Sequence, residues 1–123
     1  MVQRNASALV QEFVDAIIKQ NQGIKSGTAR QVRYYGRKIS PTARKLVRMG
    51  DEGKREFATL LHHPDREVRA NAAVYLCSSM PEEALAVFRE LAQGDDLIAM
   101  GAKLRIKEWE EHPEHYHESN WAC

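Results

Sequence analysis

The sequence has 123 residues and a mass of 14.0 kDa, the size of one hydrophobic core, which excludes dehydrogenase-sized folds, barrel enzymes and most two-domain arrangements. It is 43% hydrophobic and 28% charged, with only seven glycines and four prolines, a balance that favours packed helices over a turn-rich β-sandwich. The net charge of +1 conceals a dipolar chain: residues 24–48 carry eight cations and no acid, and residues 81–123 carry ten acids and four bases.

The first periodic segment runs from about Ala6 to Gln22. Leu9, Val10, Phe13, Val14, Ile17 and Ile18 form one stripe, with Asn5 or Ser7 as cap and Gly23 as stop. Thr28 to Ile39 is a second helix with Val32, Tyr35 and Ile39 on one face. Ser40-Pro41 then reads as the start of a short helix to Met49, or as a kink within one long helix over 28–49; the sequence leaves both open. Gly50-Asp51 restarts the chain, and Phe57, Leu60 and Leu61 give the next helix its buried face. His63-Pro64-Asp65 is a turn, with Asp65 capping a helix to about Ser78 that buries Val68, Ala72, Tyr75 and Leu76. Ser79 to Glu82 has the form of a capping box, opening a helix with Ala84, Leu85, Val87, Phe88 and Leu91. Gly94-Asp95-Asp96 ends that helix and caps another, with Leu97, Ile98, Ala102, Leu104, Ile106 and Trp109. His112-Pro113 terminates the pattern, and no segment alternates with period two. The domain layout is a helical domain over 1–111 and a polar His-rich tail over 112–123.

An offset of 30 residues sets Phe57 on Val87, Leu61 on Leu91, Asp65 on Asp95, Val68 on Ile98, Ala72 on Ala102 and Leu76 on Ile106. This reads as two successive helix pairs, each with an apolar face that a neighbouring pair covers. The stretch His63-Pro64-Asp65-Arg66-Glu67-Val68-Arg69-Ala70-Asn71-Ala72-Ala73 resembles a HEAT repeat: an acidic turn, then Val-Arg, then paired alanines. The resemblance implies a small α-solenoid, an all-α HEAT-like stack of six or seven helices in antiparallel pairs. Asp65, Val68, Arg69 and Ala72 would be its structural motif, with Arg69 packed between repeats and paired with Asp65. The second copy has Ala99 in place of the arginine and is degenerate. Over about residues 7–111 the chain is similar to a HEAT-like bacterial family known as domain of unknown function 2019. The matching features are the N-terminal amphipathic helix, Leu60-Leu61…His63-Pro64…Val68-Arg69…Ala72-Ala73 and Pro81-Glu82-Glu83-Ala84…Leu91. Members of that family are similar to immunity proteins encoded beside polymorphic toxins, which implies a cognate toxin protein as partner and supplies no catalytic residues.

No Walker loop, nucleophile elbow, His-Glu-x-x-His or Cys-x-x-Cys occurs, so no enzyme and no cofactor is expected. His62 and His63 precede a turn and suit a helix end better than catalysis. His112, His115, His117, Glu118 and Cys123 make a weakly chelating tail rather than a preformed metal site. Cys77 and Cys123 are too few for a disulfide framework and are expected as free thiols in a reducing cytoplasm. Met1 to Asn5 lack a secretory pattern, and no window approaches the roughly 18 apolar residues of a membrane span, so a cytoplasmic protein without membrane contact is expected. A monomer or weak homodimer is expected.

Two surfaces qualify for partner binding. The acidic end offers Glu108, Glu111 and Glu114 with Tyr116 and Trp121 as aromatic anchors, suited to an electropositive toxin cleft and slightly favoured. The basic helix offers Arg33, Tyr34 and Arg37, suited to an acidic partner. Cations beside an aromatic also hold phosphates and stack bases, so a HEAT-like nucleic-acid-binding protein using the 25–48 face is the second reading, less favoured than a protein partner.

Overall fold

A computed structural model describes residues 5–116, and within them the protein is all-α: six α-helices, two short 3₁₀ turns and no strand. The helices are α1 (Ala6–Ser26), α2 (Ala29–Arg48), α3 (Asp51–Ala58), α4 (Arg66–Leu76), α5 (Pro81–Leu91) and α6 (Leu97–Glu111). The 3₁₀ turns are Thr59–His62 and Pro113–Tyr116. The chain divides between Thr59 and Leu60 into two compact units, α1–α3 and α4–α6.

In the first unit, Asn5 caps α1, its Oδ1 accepting the Ala8 N–H at 2.8 Å. The helix passes through Gly23, where a stop was expected, and ends at Gly27. Gly27 takes a left-handed φ of 73°, and the Thr28 and Gly27 amides donate to the Gly23 and Ile24 carbonyls at 2.9 and 3.3 Å. This is a Schellman ending, and its geometry explains why the later glycine stops the helix. Gly23 has another use: a Cβ there would lie 3.1–3.2 Å from Gln31 and Val32 of α2, so its missing side chain lets the two helices approach. Gln31 Nε2 donates to the Lys19 carbonyl at 2.8 Å, and Gln20 lies beside Gly36. These pairings run in opposite directions along the two helices, so α1 and α2 form an antiparallel hairpin.

Residues 29–48 form one helix with Pro41 inside it, which settles the alternative the sequence left open. Pro41 has no N–H to donate to the Arg37 carbonyl, and it lies on the exposed side, where water can serve that oxygen. The apolar stripe of α1 buries Leu9, Phe13, Val14, Ala16 and Ile17, and α2 contributes Ile39, Ala43 and Leu46. Phe13 and Phe57, both 0% exposed, meet edge to face with ring centroids 4.9 Å apart. Gly53 of α3 sits against α2 so closely that a Cβ would fall 1.9 Å from the Leu46 carbonyl oxygen.

In the second unit, Asp65 caps α4 as expected, one carboxylate oxygen accepting from the Glu67 and Val68 amides at 2.9 and 3.2 Å. The helix ends at Leu76, two residues short of expectation. The capping box at Ser79 does not form. Met80 is the N-cap, with no side-chain hydrogen bond, because Pro81 takes the first helical position and holds the residue before it out of the α region, at φ −135°. α5 buries Ala84, Val87, Phe88 and Leu91, and Leu85 is half-buried.

Asp96, not Asp95, caps α6, accepting the Ala99 amide at 3.0 Å. The caps Asp65 and Asp96 are therefore 31 residues apart, and the buried counterpart of Val68 is Ala99, each three residues past its cap. The expected stripe of α6 is corrected at the same point. Only Ala99 and Ala102 are buried; Ile98, Ile106 and Trp109 are half-buried, and Leu97 and Leu104 are 84% and 66% exposed. Cys77 is 3% exposed with its Sγ 3.1 Å from the Val74 carbonyl oxygen, and it is not a free thiol, contrary to expectation. Cys123 lies outside the described residues.

Candidate functional site

The basic stretch becomes an exposed helical face in the first unit. Arg30, Arg33, Arg37, Arg44, Lys45 and Arg48 are exposed along α2 and its C-terminal turn. Arg30, Arg33 and Arg37 recur at three- and four-residue spacing, so they project from one side. Among the described residues none of these three has a carboxylate partner. Tyr34, 54% exposed, stands among them. Its ring meets that of Tyr35 edge to face, centroids 4.9 Å apart. Lys38 Nζ lies 4.4 Å from the Tyr34 centroid and 5.7 Å from that of Tyr35, and Lys19 Nζ of α1 lies 5.5 Å from the Tyr35 centroid. The Lys38 ammonium is held above the usual lysine range, first by its hydrogen bond with Tyr34, against a smaller opposing effect of burial. A cleft of about 510 Å³ opens here, lined by Lys19, Gln22, Thr28, Arg30, Gln31, Tyr34 and Tyr35. The cleft can hold an anion on Lys19 and Arg30 and an apolar group against the two rings.

The acidic end lies in the second unit and is differently constituted. Glu108 is half-buried. Glu111 Oε1 is 4.0 Å from Lys107 Nζ, one turn earlier on the same helix. Glu114 Oε1 is 3.3 Å from His112 Nδ1. These carboxylates therefore already face cationic or titratable neighbours. The backbone of Tyr116 closes the Pro113–Tyr116 turn, and Trp121, His117 and Glu118 lie outside the described residues. Among the described residues no group of three His, Cys, Asp or Glu side chains is placed to hold a metal ion.

The residues that the HEAT resemblance singled out, Asp65, Val68, Arg69 and Ala72, lie at the N-cap of α4 and along it. Val68 and Ala72 are fully buried. Arg69 does not pair with Asp65, whose carboxylate is turned to the amides of the first helical turn. Instead Arg69 Nη1 donates to the His63 and Pro64 carbonyls at 2.8 and 3.2 Å, and Nη2 lies 3.3 Å from Glu90 Oε1 of α5. The arginine thus ties the turn before α4 to the neighbouring helix. A second tie was not legible in the sequence: Arg66 forms a two-pronged ion pair with the cap residue Asp96. The guanidinium holds the Asp96 carboxyl below the usual aspartate range, helped by the Ala99 amide.

The fold and these surfaces define a small all-α protein that presents charged helical faces, and no helix among the described residues is long and apolar enough to cross a membrane. No known family's sequence profile matches the chain, and no curated protein does. The fold is similar to that of the protein RPA1889 from Rhodopseudomonas palustris CGA009, known from its crystal structure. The TM-score is 0.81 at 15% identity, covering 89% of this chain and 92% of that one. At that identity the likeness shows a shared all-α fold.

Proposed function

We propose that this chain is a non-catalytic binding protein, an immunity protein whose partner is a cognate toxin and whose contact surface is the basic face of α2. The observation that carries this reading is the set of three exposed arginines, Arg30, Arg33 and Arg37, which have no carboxylate partner among the described residues, around the exposed ring of Tyr34. Unpaired cations on one helical side steer an acidic partner into register, and an aromatic ring among them supplies an anchor of low conformational cost. The acidic end is the weaker surface under this reading, because Glu111 and Glu114 already sit beside Lys107 and His112. The HEAT-like resemblance and a cytoplasmic site of action belong to the same proposal.

Nucleic acid is the second reading, favoured by the cleft that puts Lys19 and Arg30 beside two tyrosine rings. Lys38 lies over the Tyr34 ring, which leaves less of that ring for a base. Co-expression with the toxin encoded by the adjacent reading frame tests the first reading. The parent is expected to protect the cell, the triple variant Arg30→Glu, Arg33→Glu, Arg37→Glu to lose protection while remaining folded, and a chain truncated after Glu111 to keep it. Protection by the triple variant refutes the assignment of the face. Tight, salt-sensitive binding of a single-stranded oligonucleotide by the parent near physiological salt would favour the second reading.

A further inference from the structure

Helix α6 has two apolar faces. One, through Ala99 and Ala102, is buried in its unit. The other is a stripe of Leu97, Met100 and Leu104, which are 84%, 55% and 66% exposed. With 3.6 residues per turn these three fall in one narrow sector of the helix. Gly101 borders the stripe, and a Cβ placed there would meet nothing within 4 Å. Scattered exposed leucines need no explanation, but three large apolar side chains aligned on one helix mark a contact surface.

We propose that this stripe is a self-pairing surface, on which α6 of one copy packs antiparallel against α6 of a second copy across a twofold axis. The residue pattern is self-complementary in that arrangement. An axis passing between positions 100 and 101 sets Leu97 opposite Leu104 of the second copy, twice by symmetry, with Met100 meeting Met100 of the second copy on one flank and Gly101 meeting Gly101 of the second copy on the other. The adaptable methionines fill one flank, and the missing side chains of the glycines let the two backbones approach on the other. The same register brings Lys107, exposed at the edge of the stripe, beside the exposed Asp95 at the start of the second copy's helix. A parallel arrangement would set Lys107 against Lys107 and each leucine against its own copy. The patch is small, so the dimer is weak and forms with rising concentration. This surface lies on α6, and the inference does not depend on the proposed role of α2.

Sedimentation analysis of the full chain from about 10 μM to about 1 mM tests the pairing. The parent is expected to dimerise within that range. Gly101→Ala has room in the single copy, so it is expected to stay folded while raising the dimer dissociation constant about tenfold by filling the gap. Leu104→Glu, at an exposed position, is expected to abolish the dimer. Adding Leu97→Lys to Leu104→Glu is expected to restore it, because opposite charges then face each other twice across the axis. A parent that stays monomeric throughout, a dimer that Gly101→Ala and Leu104→Glu leave unchanged, or a double variant as monomeric as Leu104→Glu alone would each overturn the proposal.

Discussion

Replacing Gly53 by alanine separates packing from helix propensity, because the two act with opposite sign. Gly53 lies inside α3, where alanine is intrinsically favoured by about 1 kcal/mol. The added Cβ would fall 1.9 Å from the Leu46 carbonyl oxygen and 2.8 Å from the Met49 Cβ. A methyl carbon and a carbonyl oxygen need about 3.3 Å, so α3 must move away from α2 by more than an ångström. The obstacle is backbone, which cannot rotate aside as a side-chain tip can. Overpacking costs about 1–3 kcal/mol, and a clash with immovable backbone falls at the upper end, about 3 kcal/mol, which exceeds the propensity gain of about 1 kcal/mol. Gly53→Ala is therefore expected to lower stability by about 2 kcal/mol, read as a fall in the urea midpoint at constant slope. Gly101→Ala is the control: it is mid-helix, exposed and open, so propensity alone acts, and at protein concentrations below the dimer range it is expected to gain up to about 1 kcal/mol. A neutral or stabilised Gly53→Ala variant would refute the close approach of α3 to α2.

Three further outcomes follow from the second unit. Leu61→Ala, at a position 4% exposed, is expected to cost about 2–5 kcal/mol by denaturant titration, and an unchanged midpoint would remove Leu61 from the core. Asp65→Ala leaves two first-turn amides without their acceptor and is expected to cost about 1 kcal/mol, whereas Asp65→Asn, which can still cap, is expected to recover most of that loss. The Arg66–Asp96 pair gives a pH dependence whose sign is fixed. The Asp96 carboxyl is lowered in the folded chain, so its contribution is present above the unfolded value of about 3.9 and is lost as pH falls through the lower folded value. Arg66→Ala is expected to raise the Asp96 pKa, followed by carboxyl NMR, and to flatten the corresponding part of the acid stability curve; an unmoved titration would show that the pair does not persist in solution.

Much of the fold was legible because its signals are local. Asn5, Asp65 and the stripe through Leu9, Phe13 and Ile17 each act within a turn or two, and each behaves as its residue type dictates. The discrepancies arise where a distant element decides. Gly23 reads as a stop, yet it serves the approach of α2, and only the neighbouring helix distinguishes the two uses. Pro41 reads as a start or a kink, and its exposed side of α2 lets the helix continue. Ser79 lost the cap because Pro81 fixed Met80 in that position, a competition that the pre-proline rule could have foreseen. In α6 the apolar residues occupy two faces, and their pattern alone does not separate the buried Ala102 from the half-buried Ile98 or the exposed Leu97 and Leu104. The site was legible as charge and not as geometry. The cation run over 24–48 was evident, but the stacking of Lys38 with Tyr34 and Tyr35, and the engagement of Glu111 and Glu114 by their neighbours, required coordinates.

The central claim is that the basic face of α2 carries the partner. Isothermal titration calorimetry of the purified toxin domain against the parent and against the Arg30→Glu, Arg33→Glu, Arg37→Glu variant, near 0.15 M salt, tests it most directly. Reversing three close interfacial charges is expected to weaken binding at least about a hundredfold, with the circular dichroism of the variant unchanged. Equal affinity of parent and variant would contradict the account.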